Sequence, residues 1–168
     1  IGYMVPANII GHFFEDIKDQ RRDGFPSLGV VMQGMENPDL KRKYRMEKDQ
    51  TGMLITRVLP GSPADGHLRP EDVLLAVEGH EVADDGTVEF RPRQRTSVSY
   101  FVQLHQLGES VEVEVWRDGQ RQKVEVSLDR SLAEDLLVPN EQYDVLPDYY
   151  IFGGAVFCPL TRNYLRSW

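Results

Sequence analysis

A single cysteine, Cys158, is all that the 168 residues contain, so no internal disulfide can form and redox usage does not point to a compartment. No apolar run approaches the roughly 20 residues that a membrane-spanning helix needs, and no basic stretch leading into an apolar one marks a secretory leader. The chain starts at Ile1 rather than Met and reads as a piece cut from a longer protein. Positive charge is also short. A net charge of −8 argues against a dedicated nucleic-acid binder, because phosphate contacts require a basic face. The local group Lys41, Arg42, Lys43 and Arg45 reads as a solvated helix face.

Signatures of catalysis are missing as well. There is no G-x-S-x-G elbow, no phosphate-binding loop and no dinucleotide fingerprint. The four histidines, His12, His67, His80 and His105, are scattered over a helix face, two turns and a second helix, and no Cys/His set has metal-ligand spacing. Asp84, Asp85 and Glu89 lack the alternating ligands and turn glycine of a calcium loop and read as a solvated acidic loop. No metal, no cofactor and no catalytic residue is therefore expected. The chain reads as one built to bind.

What is present is the makeup of a globular protein, 40% apolar and 27% charged, long enough for one good core or a core plus a fragment. A β-type run over residues 1–5 ends at Pro6, and Asn8 is placed to cap a helix with Ile9, Ile10, Phe13, Phe14 and Ile17 on one face. Residues 19–26, DQRRDGFP, read as a linker. Asn37-Pro38-Asp39 opens a short helix to about Met46, a strand is expected over 53–59, and the continuous apolar run Val73 to Val77 predicts a buried strand. Gly79-His80 turns into a short strand over 81–83, after which Asp84-Asp85-Gly86 and RPRQR at 91–95 read as a polar loop. From Thr96 to Leu107 the apolar spacing predicts a helix stopped by Gly108. Val111, Val113 and Val115, the Asp118-Gly119 turn, and Val124, Val126 and Leu128 predict a hairpin. An acidic connector follows to Pro147, then the apolar run Tyr149 to Leu160, read as the start of a truncated second domain or as a strand recruited onto the first.

The stretch Ser27 to Met32, SLGVVM, has the form x-Φ-G-Φ (Φ apolar) entering a β-type run. A glycine here is either a bulge or close backbone approach, or the centre of a nest whose amides converge on an anion beside a free strand edge.

The order of these elements resembles a PDZ domain of the HtrA/Deg (DegP-like) serine protease type. The resemblance is carried by Leu28-Gly29-Val30, the NPDL helix at Asn37, residues 51–55 (TGMLI), Gly61-Ser62-Pro63-Ala64, residues 68–74 (LRPEDVL), residues 78–82 (EGHEV) and the hairpin from Gly108 to Gly119. His67 and Glu71 stand where the family usually has glycine. Residues 85–88 and 149–161 are similar to the long Deg proteases that have a second PDZ-like domain.

The resemblance implies an α+β fold, a PDZ-like partly open barrel or sandwich of five to six strands with two helices. A strand–helix linker would precede it and a partial second-domain strand would follow. The implied domains are 1–26 (end of a protease domain and linker helix), 27–128 (PDZ) and 129–168 (connector and start of a second PDZ-like domain), with the protease triad lying before Ile1. The implied function is recognition of C-terminal or extended apolar peptides, or unfolded protein segments, by strand addition. The peptide-binding set is Leu28, Gly29, Val30, Val31, Met32, Ser97, Phe101 and Leu104, although the spacing of Phe101 and Leu104 suits a plain core helix equally. Ser97, at the helix start where many PDZ domains carry histidine, favours apolar ligand termini over Ser or Thr two residues upstream. The alternative is a structural module whose groove is filled by its own or a neighbouring chain, giving a homo-oligomer through the parent protease. No nucleic acid and no membrane span are expected, and the family works in the bacterial envelope and in organelles.

Overall fold

The computed structural model describes residues 5–20, 22–131, 138–141, 143 and 145–167. The expected strand at the start and part of the acidic connector lie outside them. Helix α1 (Ala7–Asp16) begins two residues earlier than a cap at Asn8 would have it: Pro6 is the N-cap, and its carbonyl accepts from the amides of Ile9 (3.1 Å) and Ile10 (3.2 Å). A 3-10 turn (Ile17–Asp19) ends it. The buried residue of this helix is His12, not the expected apolar face, whose Phe13 and Phe14 are exposed. The reason is polar: His12 stacks on Phe25, its Nε2 lies 3.2 Å from the Gly24 carbonyl, and its Nδ1 accepts from the Gln106 side-chain amide.

The main sheet runs in the order β1 (Val30–Gly34), β2 (Met53–Val58), β3 (Val73–Val77), β7 (Ser110–Arg117), β8 (Gln120–Ser127). Neighbours are antiparallel, and β4 (His80–Glu81) pairs with β3 where β2 has left it. The sheet does not close into a barrel. β3 is the continuous apolar strand the sequence predicts, and all five of its residues are buried because both faces are covered. On one face lies the main core, including Leu28, Ile55, Leu74, Val102, Val113 and Leu128. On the other, Met35, Leu54, Val73 and Leu75 are roofed by α2 (Pro38–Lys43) and its following turn through Leu40, Tyr44 and Met46, with Trp116 of β7 beside them. Asn37 caps α2 from its side chain, and Trp116 ties the roof down by donating Nε1 to the Tyr44 carbonyl (3.0 Å).

The β7–β8 hairpin turns at Asp118-Gly119, both at positive φ (53° and 81°), as a two-residue turn between right-twisted strands requires. Val111, Val113 and Val115 alternate inward and are fully buried, each contributing about 1.5–3 kcal/mol of transfer free energy. Asp72, almost wholly buried, accepts from Arg117 Nε (2.8 Å) and Nη2 (2.6 Å) and from the Arg69 amide (2.9 Å). That hydrogen bonding holds the Arg117 guanidinium above its already high ordinary pKa.

Two further expectations are corrected. The polar loop over 84–95 contains a hairpin of β5 (Thr87–Arg91) and β6 (Gln94–Ser97), joined by Pro92-Arg93 with Arg93 at φ 63°, a combination suited to a type II turn. Val88 points inward from it and is fully buried. The helix expected from Thr96 to Leu107 shrinks to α3 (Ser99–Val102), a single turn. Thr96 and Ser97 are paired to Val88 and Thr87 in the hairpin. At the other end, Gly108 donates to the Leu128 carbonyl (2.8 Å), which draws the segment off a helical path. Beyond Pro147 the apolar run folds on itself as β9 (Tyr150–Phe152) and β10 (Ala155–Phe157), followed by α4 (Arg162–Arg166).

Candidate functional site

The segment before β1 is held from both ends. Pro26 forms a bridge with Ser131, and Leu28 is buried in the main core. Gly29 takes φ 69°, a conformation that glycine adopts without strain. Ala64 donates its amide to the Leu28 carbonyl (3.0 Å), while the Leu59 amide (2.8 Å) and the Ser62 hydroxyl (3.3 Å) both donate to the Gly29 carbonyl. In a trans peptide the N–H points opposite to the C=O, so anchoring these two carbonyls turns the amides of Gly29 and Val30 away from the body of the domain. The Gly29 amide meets the Ser27 hydroxyl oxygen at 3.0 Å.

β1 pairs on one side only, with β2. Val30 sits opposite Val58 while Leu59 bonds to Gly29, a register that directs the backbone groups of Val30 outward. Ile55 commits its amide to Asp72 and its carbonyl to Glu71, both on the side of β3, so Met32 opposite it also presents its backbone outward. A bulge between Val31 and Met32 leaves Thr56 unpaired in β2, and its Oγ1 donates to the Val31 carbonyl (3.0 Å).

Beside this edge lies an apolar pocket of about 190 Å³ walled by Leu28, Val30 and Met32 on one side and Val98 and Val102 on the other, with Leu74 as floor. Pro26, Ser27, Gly29, Ser99 and Gln103 complete its rim. A larger cleft of about 640 Å³ lies between the β3–β4 turn and the β5–β6 hairpin, but Glu81, Glu89, Arg91 and Arg95 rim it with charges of both signs. The smaller pocket is therefore the one suited to an apolar side chain.

Of the residues expected at the site, Leu28, Gly29, Val30 and Met32 line this pocket. Val31, between them on the strand, turns its side chain away and is 37% exposed. Ser97, Phe101 and Leu104 do not line it. Ser97 ends β6 with its hydroxyl 2.9 Å from that of Ser99. Phe101 belongs to the core, stacked on His80 at 3.9 Å between ring centroids, and Leu104 is exposed. A helix that starts at Ser99 instead of Thr96 brings the i, i+4 pair Val98 and Val102 to the pocket wall. The alternation of Val88 and Phe90 with Glu89 and Arg91 was the sequence signal for the preceding hairpin, and with it for this shift. Among the described residues no cluster of His, Cys, Asp or Glu is fit to hold a metal, and no helix is long and apolar enough to cross a membrane.

Comparison with known proteins agrees with this arrangement. The PDZ domain family matches residues 26–128, and a second PDZ domain family matches residues 138–168. Protease Do-like 4, mitochondrial, of Arabidopsis thaliana is 37% identical over 168 residues, covering 99% of this chain and 32% of its own length. Protease Do-like 2, chloroplastic, of the same plant is 33% identical, covering 99% and 27%. A probable periplasmic serine endoprotease, DegP-like, of Marinomonas is 26% identical over 145 residues, covering 86% and 28%. The chain thus spans about a third or less of the length of the curated relatives it matches. Among solved structures, an HtrA-type protease with decapeptide superimposes with a TM-score of 0.53 at 22% identity, over 77% of this chain and 36% of the other, which shows a shared fold. The strand edge, the glycine turn and the apolar pocket thus sit in the part that the family match covers, and the chain belongs to the PDZ domain family as a PDZ region similar to those of Do-like, HtrA-type proteases.

Proposed function

We propose that this chain is the peptide-binding region of a Do-like serine protease and that it captures the C-terminal end of an extended apolar peptide by strand addition. The observation that carries this is the conjunction at β1. The backbone groups of Val30 and Met32 face outward, the Gly29 and Val30 amides are aimed by anchored carbonyls, and an apolar pocket lies alongside. A ligand strand antiparallel to β1 would place its carboxylate at the glycine turn and its last side chain between Leu28, Val30, Met32 and Val102. Val98 and Val102 offer no hydrogen bond to a ligand hydroxyl, which favours apolar residues at the ligand's end. Affinity for short peptides is expected in the micromolar range, about −8 kcal/mol, because a mobile peptide has to be ordered. In the parent protein such capture would recruit substrate or regulate a protease domain outside this chain.

Fluorescence polarisation with a labelled short peptide ending in valine tests the reading. The free acid is expected to bind at least ten-fold more tightly than the C-terminal amide, and equal binding of the two would overturn the carboxylate mechanism.

A second reading, assembly, is favoured by the β9–β10 hairpin. Tyr149, Tyr150, Ile151, Phe152, Val156 and Phe157 are each more than half exposed, an apolar surface suited to covering by another part of the parent protein or a second copy.

A further inference from the structure

We propose that the Ser27 hydroxyl is a built-in occupant of the carboxylate seat, and that the need to displace it sets how tightly a free C-terminus is held. This rests on reading Leu28-Gly29-Val30 as the carboxylate loop. The Gly29 amide, turned outward by the anchored Leu28 carbonyl, is one of the donors a terminal carboxylate would use, and it is already engaged by Ser27 Oγ at 3.0 Å. The backbone on either side of Ser27 is fixed. Pro26 is bridged to Ser131 and buried, and Leu28 is locked in the core. Release of the amide therefore goes through rotation of the Ser27 side chain, not through movement of the loop. Ser27 is half-buried on the rim of the apolar pocket, so the rotating hydroxyl stays next to the incoming ligand. One internal hydrogen bond is exchanged for one ligand bond, and the gain from carboxylate capture is reduced by the net strength of the bond that is broken.

The test is carried out on the whole chain with the same pair of valine-terminated peptides, free acid and amide. Ser27→Ala removes the occupant, and the free acid is expected to bind roughly three- to ten-fold more tightly, the net worth of one hydrogen bond, with a smaller gain for the amide, whose neutral carbonyl is the weaker acceptor. Ser27→Thr keeps the hydroxyl and is expected to restore wild-type affinity. In the unliganded protein, Ser27→Ala should shift the Gly29 amide resonance, whereas saturation with free acid should bring wild type and variant to the same Gly29 position. If wild type separates acid from amide but Ser27→Ala leaves acid affinity unchanged or weakens it, the Ser27 proposal falls and the carboxylate reading stands. If wild type does not separate them, both fall.

Discussion

Glu71 and Gly52 show how differently two positions on this chain use, or lack, a side chain. Glu71 holds φ 75° in the turn that delivers its amide to the Ile55 carbonyl, a left-handed conformation costly for a residue with a Cβ. Its side chain gets little in return beyond a long contact from the Tyr44 hydroxyl at 3.4 Å. Glu71→Gly is therefore expected to stabilise the domain by about 1 kcal/mol, read as a higher urea midpoint with unchanged slope. Gly52 needs space rather than an unusual φ: a Cβ there would lie 2.6 Å from the Leu74 carbonyl oxygen and 2.8 Å from Val73 Cγ1. Both neighbours are in the buried central strand and cannot retreat. Gly52→Ala is expected to cost about 2–3 kcal/mol, and a midpoint equal to wild type would show that β2 and β3 can separate locally. Neither value could be read from sequence. Glu71 was recognisable only as a departure from a family glycine, and the closeness of Gly52 to β3 exists only once the strands pair.

At the scale of elements, α3 decides what the pocket is. Val102→Ala removes a pocket wall and is expected to weaken binding of a free-acid peptide several-fold while costing about 1–2 kcal/mol of stability. Leu104→Ala, on the exposed continuation of the segment, is expected to leave binding within two-fold. The reverse ranking in a polarisation titration would put the groove wall on the far side of α3. The strands of the β7–β8 hairpin were legible because Val111, Val113 and Val115 alternate with charged residues and the Asp118-Gly119 turn supplies its own conformation. So was the strand side of the site, because Leu28, Gly29, Val30 and Met32 are neighbours in sequence. The helix side was not. The spacing of Val98, Phe101, Val102 and Leu104 satisfies a helix, but the pairing of Thr96 and Ser97 with Val88 and Thr87 fixes where that helix begins. Long-range pairing of this kind overrides local periodicity, and Pro92 with three nearby arginines disguised the hairpin that does it.

At the scale of the whole molecule, an acidic body carries an apolar hairpin at one end. A net charge of −8 opposes association, whereas the exposed aromatic surface of β9 and β10 favours it. Sedimentation at rising concentration is expected to show self-association of the full chain and a monomer once residues 149–168 are removed. A full chain that stays monomeric to the highest concentrations would remove the assembly reading. The open edge of β1 limits how much of a paired strand could be read. β1 is five residues long, and only Val30 and Met32 combine an outward backbone with a side chain in the pocket wall. A ligand read against such a strand is a very short word with two letters that count, so the site carries little information. Under the proposed strand addition it would sort chain ends by class, apolar or not, and accept many different sequences rather than a single one.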